Sequence, residues 1–286
     1  MAVSCPVCGA RRVAPRLRKA GVEILFCGDC GLGFWRPGAG FDPAALYGAR
    51  YFAGHDLGPG YDDYAALEAA LRHNFARRVR ALGTPRPGAR LLDLGPAFGY
   101  AVDEARRAGW WATGLEVSRA AAARAAAVAG AGGIAVGDAQ RAPFAAASFD
   151  AVTLWDVLEH LPDPHAAVAE LARVLRPGGR LALSTGDVGS LAARVSGARW
   201  HLYTIPEHLF FYSRESLRRL LAAHGLRVER MRAEAARYPI GYLLERLRKT
   251  LLGRAPRRAA RWPGARLAVP VNLFDVVTVR AVREAA

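Results

Sequence analysis

Apolar and polar stretches alternate between residues 85 and 185 in a way that predicts strands separated by helices. The first apolar run is typical of a buried strand, and the alanine-containing stretch after it has a helical composition. The runs that read as strands are 90–94, 110–115, 149–154 and 180–184, and the helices between them are 101–108, 119–128 and 165–174. This order predicts an α/β fold built on a mainly parallel sheet.

Glycines and acidic residues follow the predicted strands. Asp93 lies near the end of the first strand, and Gly95 and Gly99 remove side chains where the backbone must turn and approach a ligand. Glu116 ends the second strand, 21 residues after Gly95, where a carboxylate can accept hydrogen bonds from both ribose hydroxyls. Asp138 lies in a third acidic turn. The pattern predicts a nucleotide-shaped crevice at the carboxyl ends of parallel strands.

Further elements follow toward the C-terminus. Ser213 is a plausible N-cap for a helix over 214–224, and Gly225 a stop signal. Strands are predicted at 226–231 and 272–282, and an amphipathic helix at 242–252. The predicted organisation is a cysteine-containing module at 1–40, a linker and capping helix at 41–84, and an α/β domain at 85–286 with a helical insertion at 236–270.

Composition narrows the class of protein. The 286 residues are 52% hydrophobic, which suits a globular core, and no run of about 18 apolar residues predicts a membrane span. The N-terminus lacks a basic region followed by an apolar one, so we expect a cytoplasmic protein. The net charge is +15, and residues 214–286 contribute +11 of it. Arginine dominates this excess and suits phosphate contacts, although a solvated arginine-rich surface explains it equally well.

The four cysteines predict a metal site. Cys5, Cys8, Cys27 and Cys30 form two Cys-x2-Cys pairs separated by 18 residues, the spacing of a closed four-thiolate zinc ribbon. Soft thiolates favour Zn²⁺ over hard cations. The alternatives are disulfides, which require an oxidising compartment, or free thiols.

The motifs in this order resemble those of class I S-adenosylmethionine (SAM)-dependent methyltransferases. The motifs are Leu91-Leu92-Asp93-Leu94-Gly95-Pro96-Ala97-Phe98-Gly99, Gly137-Asp138-Ala139, Ser148-Phe149-Asp150, Leu158-Glu159-His160-Leu161 and Arg176-Pro177-Gly178-Gly179. A nicotinamide dinucleotide site is the rival, but it expects G-x-G-x-x-G, which is absent. Ala97 departs from the family, which usually has glycine there. The expected fold is a Rossmann-like, seven-stranded SAM methyltransferase core with a small N-terminal zinc ribbon of four cysteines.

The resemblance implies roles for individual residues. Asp93 supports the glycine loop and reaches the methionine ammonium, Glu116 holds the ribose, and Asp138 accepts from the adenine amino group. The backbone of Ala139 lies beside the adenine, and Trp155 lies near the methyl-transfer cleft. Gly95 and Gly99 complete the expected cofactor-binding set.

The segment Tyr203–Ser213 resembles zinc-ribbon-bearing methyltransferases that act on nucleotide-linked deoxysugars. In that family a Glu-His pair after the fifth strand removes a proton next to a sugar carbonyl, which implies a catalytic role for Glu207 and His208. A structural role for His208 is the competing interpretation. The chain departs from the family at Ile205, where that family carries a tyrosine nearby.

The favoured interpretation is an enzyme that binds SAM and structural Zn²⁺ and methylates a small or nucleotide-linked acceptor, with a sugar as the specific hypothesis. A second hypothesis is an RNA methyltransferase that binds RNA through its ribbon, and nucleic acid is therefore a partner we keep open but do not favour. It lacks support because no aromatic platform is interleaved with the C-terminal arginines. A third hypothesis is a non-catalytic zinc-ribbon binding module that retains a SAM-binding core.

Overall fold

The computed structural model describes residues 3–38, 40–42, 45–46, 67–130, 132–252 and 263–285. Strands and helices alternate through most of this part of the chain. The strands are β1 Val13–Lys19, β2 Val22–Cys27, β3 Gly33–Phe34, β4 Arg90–Leu94, β5 Trp111–Glu116, β6 Ile134–Val136, β7 Phe149–Trp155, β8 Leu175–Gly186, β9 Phe210–Phe211, β10 Leu226–Ala233, β11 Ala236–Pro239, β12 Ala268–Val271 and β13 Val276–Arg283. The helices are α1 Glu68–Arg80, α2 Tyr100–Arg107, α3 Arg119–Ala129, α4 Pro164–Val174, α5 Leu191–Ser196, α6 Arg214–Ala222 and α7 Ile240–Leu252.

Within the described residues, the largest sheet has seven strands in the order β10-β13-β8-β7-β4-β5-β6. The five strands from β8 to β6 run parallel, while β13 pairs antiparallel with both β8 and β10. The α/β, Rossmann-like, seven-stranded fold expected from the sequence is confirmed. The parallel half places the carboxyl ends of β4, β5, β6 and β7 along one edge, which is where such folds bind ligands.

Helices α3, α4 and α6 begin at side-chain caps. The Ser118 hydroxyl accepts a hydrogen bond from the Ala121 amide at 3.3 Å, and the Asp163 carboxylate accepts one from Ala166 at 2.9 Å. Ser213 caps α6 through a reciprocal bond with Ser216, as its sequence position predicts. Each cap satisfies an amide that the first helical turn leaves without a partner.

The cysteine-containing segment forms a second, smaller sheet in the order β1-β2-β3-β9. Its hairpin turns at Ala20 and Gly21, which adopt φ of +48° and +80°, the left-handed pair of a tight hairpin turn. Strand β9 comes from the far end of the α/β region in sequence, and Phe34 pairs with Phe210. The N-terminal segment is therefore hydrogen-bonded into the rest of the chain.

The segment 236–270, expected to be helical, is mixed within the described residues. Helix α7 is present, but it is preceded by β11 and followed by β12, which pair antiparallel over Ala236–Val271 and Pro239–Ala268. Asn74 of α1 exchanges two hydrogen bonds with the backbone of Arg237. These contacts dock the insertion on the helix that precedes β4. The boundary at 41–84 stays a prediction, and residues 47–66 lie outside the described part.

One buried hydrophobic cluster runs through both sheets. Leu32 and Phe34 of the small sheet belong to the same cluster as Leu154 of β7 and Leu217 of α6. Shared burial couples the two regions energetically, because unfolding one would expose apolar surface of the other. Among the described residues, no helix combines the length and the hydropathy needed to cross a bilayer.

Candidate functional site

The loop between β4 and α2 has a backbone that side chains would obstruct. Gly95 has φ of +67°, and a Cβ there would lie 2.7 Å from Val157 Cγ2. Gly99 has φ of +79°, and a Cβ there would lie 2.8 Å from the Ala125 carbonyl oxygen. Both positions therefore require glycine, as the sequence motif predicts. Ala97 adopts φ of +51°, a left-handed conformation that costs an L-residue about 1–2 kcal/mol.

Glu116 ties this loop to the next strand. Its buried carboxylate accepts hydrogen bonds from the amides of Ala97 at 3.2 Å and Ser118 at 3.0 Å, one on each oxygen. Each carboxylate oxygen has a second acceptor position for a ligand hydroxyl. Burial raises the pKa of Glu116, and hydrogen bonds from the backbone amides of Ser118, Ala97 and Val117 partly oppose that shift. The arrangement suits a ribose that supplies two hydroxyl donors.

Asp93 lies beneath the loop, where the Thr153 hydroxyl donates to its Oδ1 at 2.6 Å. Complete burial, with a smaller contribution from the negative charge of Glu116, raises the pKa of Asp93 to about 7. A buried carboxyl of this kind becomes charged more readily when a cation approaches it. Its position therefore suits a ligand that carries positive charge.

The remaining predicted cofactor residues lie at the neighbouring strand ends. Asp138 follows β6, is exposed, and accepts from the Gln140 amide at 2.9 Å, with Ala139 between them. Trp155 ends β7, is buried, and packs under the guanidinium of Arg78 at 4.9 Å. Because β6, β5, β4 and β7 are adjacent in the sheet, the structure brings the predicted residues to one edge, which we call the crevice.

A cavity of about 550 Å³ lies elsewhere, at the opposite end of the strands. Its lining includes Arg90, Trp111 and Phe149, the first residues of β4, β5 and β7. None of the predicted cofactor or catalytic residues lines it. Ligands of open α/β sheets bind at the carboxyl ends of the strands, so we place the functional site at the crevice.

A second group of polar side chains follows β7. Glu159 and His160 lie in a short 3₁₀ helix, and His208 lies in the segment before β9. One potential ligand atom from each lies within 4.8 Å of the other two, and the two imidazole rings pack edge-to-face at 4.7 Å. We call these three residues the imidazole cluster.

Backbone carbonyls orient both imidazoles. His160 Nδ1 lies 3.0 Å from the Glu207 oxygen, and His208 Nδ1 lies 2.9 Å from the Leu202 oxygen. A carbonyl oxygen only accepts, so His208 carries its proton on Nδ1 and its lone pair on Nε2. His160 likewise directs Nδ1 to a carbonyl, and the backbone of Asp156 is a second hydrogen-bond partner of its ring. Desolvation lowers the pKa of His160 to about 4 and that of His208 well below its usual value. Both rings are therefore neutral at physiological pH.

Glu159 supplies the carboxylate of the cluster. It is 3% exposed, and its Oε2 has no hydrogen-bond partner among the described residues. Burial, reinforced by the negative charge of Asp156, raises the pKa of Glu159 to about 8. A buried carboxyl oxygen without a partner destabilises the folded protein. Its position beside two oriented imidazoles therefore needs an explanation.

The sequence assigned the partner carboxylate to Glu207, and a catalytic role of that residue stays a prediction. Glu207 is buried, and its backbone oxygen accepts from His160 Nδ1. Among the described residues, the carboxylate within 4.8 Å of both imidazoles is that of Glu159. Sequence reasoning did not include Glu159 or His160 in the site. The available signal was the Leu158–Leu161 motif directly after a strand that ends at the crevice.

The N-terminal segment reaches the imidazole cluster. The indole of Trp35 donates to the backbone oxygen of His208 at 2.8 Å, and the Trp35 amide donates to Leu209 at 3.3 Å. The Ser213 hydroxyl donates to the Cys30 oxygen at 2.5 Å. The segment that carries His208 is thus held from both sides by residues next to the cysteines.

The four cysteines converge as their spacing predicts. The Sγ atoms of Cys5 and Cys30 lie 3.6 Å apart, as do those of Cys8 and Cys27. Disulfide sulfurs lie about 2.05 Å apart, so these are free thiols. A tetrahedral Zn²⁺ site with bonds of about 2.3 Å has sulfur–sulfur edges of about 3.8 Å, close to the distances here. Amides of Val7 and Asp29 face Cys5 and Cys27 at 3.5 and 3.4 Å, which would stabilise thiolates.

A family model described as "Methyltransferase domain" matches residues 66–230. The chain belongs to this family. The match includes the glycine loop, the strand ends of the crevice and the whole imidazole cluster. Membership of the class I SAM-dependent methyltransferases, inferred above from motifs, is confirmed, whereas the likeness to deoxysugar enzymes stays a prediction.

Two relatives indicate the range of this family. A demethylmenaquinone methyltransferase from Mycolicibacterium paratuberculosis is 35% identical over 130 residues, which cover 39% of this chain and 54% of the relative. A 27-O-demethylrifamycin SV methyltransferase from Amycolatopsis mediterranei is 37% identical over 139 residues, 46% of this chain and 51% of the relative. This chain spans about half the length of either relative.

A solved structure shows the same architecture. A SAM-dependent methyltransferase from Thermotoga maritima aligns with a TM-score of 0.51 at 17% identity, covering 76% of this chain and 92% of its own. At this identity the likeness establishes the fold alone. The acceptor of this methyltransferase-family chain must therefore be argued from its own residues.

Proposed function

We propose that the chain transfers the methyl group of SAM to a small-molecule acceptor. The observation that carries this proposal is the crevice, in which Asp93, Glu116 and Asp138 end three adjacent strands around a glycine loop. Glu116 offers acceptors for ribose hydroxyls, and Asp93 offers negative charge beneath the loop. Both named relatives are methyltransferases of small molecules by their descriptions, which supports the acceptor class.

Methyl transfer requires mainly that the protein align the acceptor with the sulfur–methyl bond of SAM. The methyl carbon leaves the sulfonium sulfur, which keeps the bonding electron pair, and bonds to an electron pair of the acceptor. The acceptor loses a proton before or during transfer. Alignment of the two reactants removes much of the barrier, and a positioned group that accepts the proton removes more.

The specific acceptor we propose is a nucleotide-linked sugar. Support comes from the ribbon followed by the Glu207-His208 segment, as in deoxysugar C-methyltransferases, and from the neutral imidazole of His208 in the cluster that follows β7. We propose that His208 activates the acceptor. Besides Glu207, we propose Glu159 as its partner, because a carboxylate oxygen of Glu159 lies within 4.8 Å of a ring nitrogen of His208.

We also propose that Cys5, Cys8, Cys27 and Cys30 hold one structural Zn²⁺. The sulfur separations support this, and the two hydrogen-bonded knuckles would keep the thiolates in place. Elemental analysis of protein purified without added metal should find one zinc per chain. X-ray absorption should show four sulfur ligands, and nitrogen or oxygen ligands would contradict the assignment.

The RNA methyltransferase alternative gains little from the described surface. Several C-terminal arginines pair with acidic neighbours, for example Arg214 with Asp187 at 2.8 Å and Arg219 with Glu215 at 2.7 Å. Paired guanidinium groups release fewer counterions on binding phosphates, so RNA affinity should be weak. Tight, specific capture of one RNA hairpin at physiological salt would instead favour this alternative.

The decisive experiment incubates the protein with SAM and a panel of nucleotide sugars and detects methylated products by mass spectrometry. We expect one acceptor to gain the mass of a methylene group while SAM is converted to its demethylated product. Matched reactions contain the Glu116→Ala variant, which should bind SAM more weakly. SAM binding without product from any nucleotide sugar or other small acceptor would favour the non-catalytic binding module.

A further inference from the structure

We propose that Glu159, His160 and His208 bind a divalent cation. The three side chains come from two segments, the 3₁₀ helix after β7 and the loop before β9, and their ligand atoms lie within 4.8 Å of one another. Bonds of about 2.0–2.2 Å from nitrogen and oxygen to a central ion require ligand separations of this order or smaller. The geometry therefore needs only small side-chain movements to close around an ion.

The surroundings of the imidazoles support the assignment. Metal-binding histidines almost always donate their other ring N–H to a carbonyl or carboxylate, which fixes the ring and raises its basicity. His160 does so to Glu207 and His208 to Leu202. The carbonyl of His208 is itself held by the Trp35 indole. The two imidazole rings are oriented in this way and pack 4.7 Å apart, which is the arrangement expected of two ligands of one ion.

The carboxyl group of Glu159 has one oxygen without a partner in the described structure. Glu159 is only 3% exposed, and its Oε2 accepts no hydrogen bond in the described part of the chain. Asp156 adds negative charge nearby, and the Ser184 hydroxyl donates to its Oδ1 at 2.9 Å. A divalent ion would bond the unpartnered oxygen and favour the charged form of Glu159, which a neutral imidazole does not do.

The donor set indicates the class of ion. Two imidazole nitrogens and one carboxylate oxygen suit Mn²⁺, Fe²⁺ or Zn²⁺, whereas the four thiolates of the ribbon select Zn²⁺ more strongly. Three protein ligands leave coordination positions open. The cation site deepens the proposed function, and only its role in activating the acceptor rests on that function. Because the cation would occupy the lone pair of His208, that residue would activate the acceptor through the ion rather than by taking its proton. The open positions would hold an oxygen of the acceptor and lower its pKa, so that its proton leaves to solvent before methyl transfer.

The probe is Mn²⁺, because a hard cation binds thiolates weakly and should not occupy the cysteine site. Titration of the zinc-loaded protein with MnCl₂, followed by electron paramagnetic resonance, should show one bound Mn²⁺ per chain. Glu159→Gln and His208→Ala should each weaken binding by more than about tenfold. The control is His224→Ala, which removes an imidazole from the other histidine pair, His165 and His224, and should leave Mn²⁺ binding unchanged.

A second measurement does not depend on whether the variants fold. Electron spin echo modulation of Mn²⁺ bound to the unaltered protein should show coupling to imidazole nitrogen. No bound Mn²⁺, bound Mn²⁺ without nitrogen coupling, or unchanged affinity in folded Glu159→Gln protein would overturn the metal site. Turnover is read separately. If Mn²⁺ binds with nitrogen coupling and no nucleotide sugar is methylated, the metal site stands and the proposed acceptor fails.

Discussion

The crevice and the imidazole cluster lie next to each other but are assembled in different ways. The crevice is built from strand ends whose side chains are held by near neighbours, as Glu116 is by Ser118 and Asp138 is by Gln140. The imidazole cluster joins two segments that are distant in sequence and is held by the cysteine-containing segment through Trp35. We infer that cofactor binding tolerates disturbance of the ribbon, whereas acceptor chemistry does not.

The largest expected effect is at His208, where a substitution should lower the methyl-transfer rate without changing SAM affinity. His208→Ala should lower the single-turnover rate of methyl transfer by about 10²–10⁴-fold, because the acceptor loses its activating group. SAM affinity by calorimetry should stay close to that of the unaltered protein, since Glu116 and Asp93 are untouched. His224→Ala serves as the control. If His208→Ala keeps most of the methyl-transfer rate, the role of the imidazole cluster is structural.

The ribbon provides the next test of the comparison. Cys27→Ser should weaken metal binding and loosen the Trp35 contact, displacing His208. We expect a rate loss of about 10²-fold, since misplacement of this kind by about 1 Å has that cost. SAM affinity should change little. Arg18→Ala, at an exposed position of the same segment, is the matched control. An equal loss of SAM affinity would mean that the two regions unfold together.

Removal of a carboxylate from the crevice should weaken SAM binding and leave the imidazole cluster intact. Glu116→Ala should cost about 1.5–3 kcal/mol of SAM binding, because a charge-assisted hydrogen bond to a ribose is lost. Asp138→Ala should cost less, since Asp138 is exposed. Calorimetry measures both, and Mn²⁺ binding at the cluster should be unaffected. Affinity like that of the unaltered protein in both variants would place the cofactor elsewhere.

Asp93 should make SAM binding depend on pH. Its pKa of about 7 means that the free protein is partly protonated there at neutral pH. A cationic ligand favours the carboxylate, so binding releases a proton and affinity rises with pH through that pKa, by at most about tenfold per pH unit. Calorimetry in buffers of different ionisation enthalpy detects the released proton. Asp93→Asn should remove the slope; an unchanged slope would assign it to another group.

The smallest effect concerns the backbone of the loop. Ala97→Gly should relieve the left-handed strain at φ of +51°, which glycine adopts freely. Greater freedom of the unfolded chain offsets part of that gain, so we expect about 0.5–1 kcal/mol of stabilisation in urea unfolding. Gly99→Ala should destabilise instead, because its Cβ would meet the Ala125 oxygen. Destabilisation by Ala97→Gly would show that the alanine side chain contributes packing.

Most of the sheet could be predicted from the sequence because its signals are local. Apolar runs predicted β4, β7 and β10 within a few residues, and Ser213 predicted the start of α6. The insertion was harder. Tyr238 lies in β11, which pairs with a strand about 30 residues later, and such non-local pairing leaves no periodic pattern in a short segment.

The sequence by itself determined which residues end the parallel strands, because strand, turn and helix signals lie within a few residues of one another. It also determined that four thiols would meet, since the two knuckles are spaced for one metal. Only the tertiary structure decided that β9 joins the ribbon sheet, that Trp35 holds His208, and that Glu159 rather than Glu207 faces the imidazoles. Those contacts depend on how distant segments pack, and side-chain direction in an irregular loop follows its tertiary surroundings rather than its neighbours in sequence.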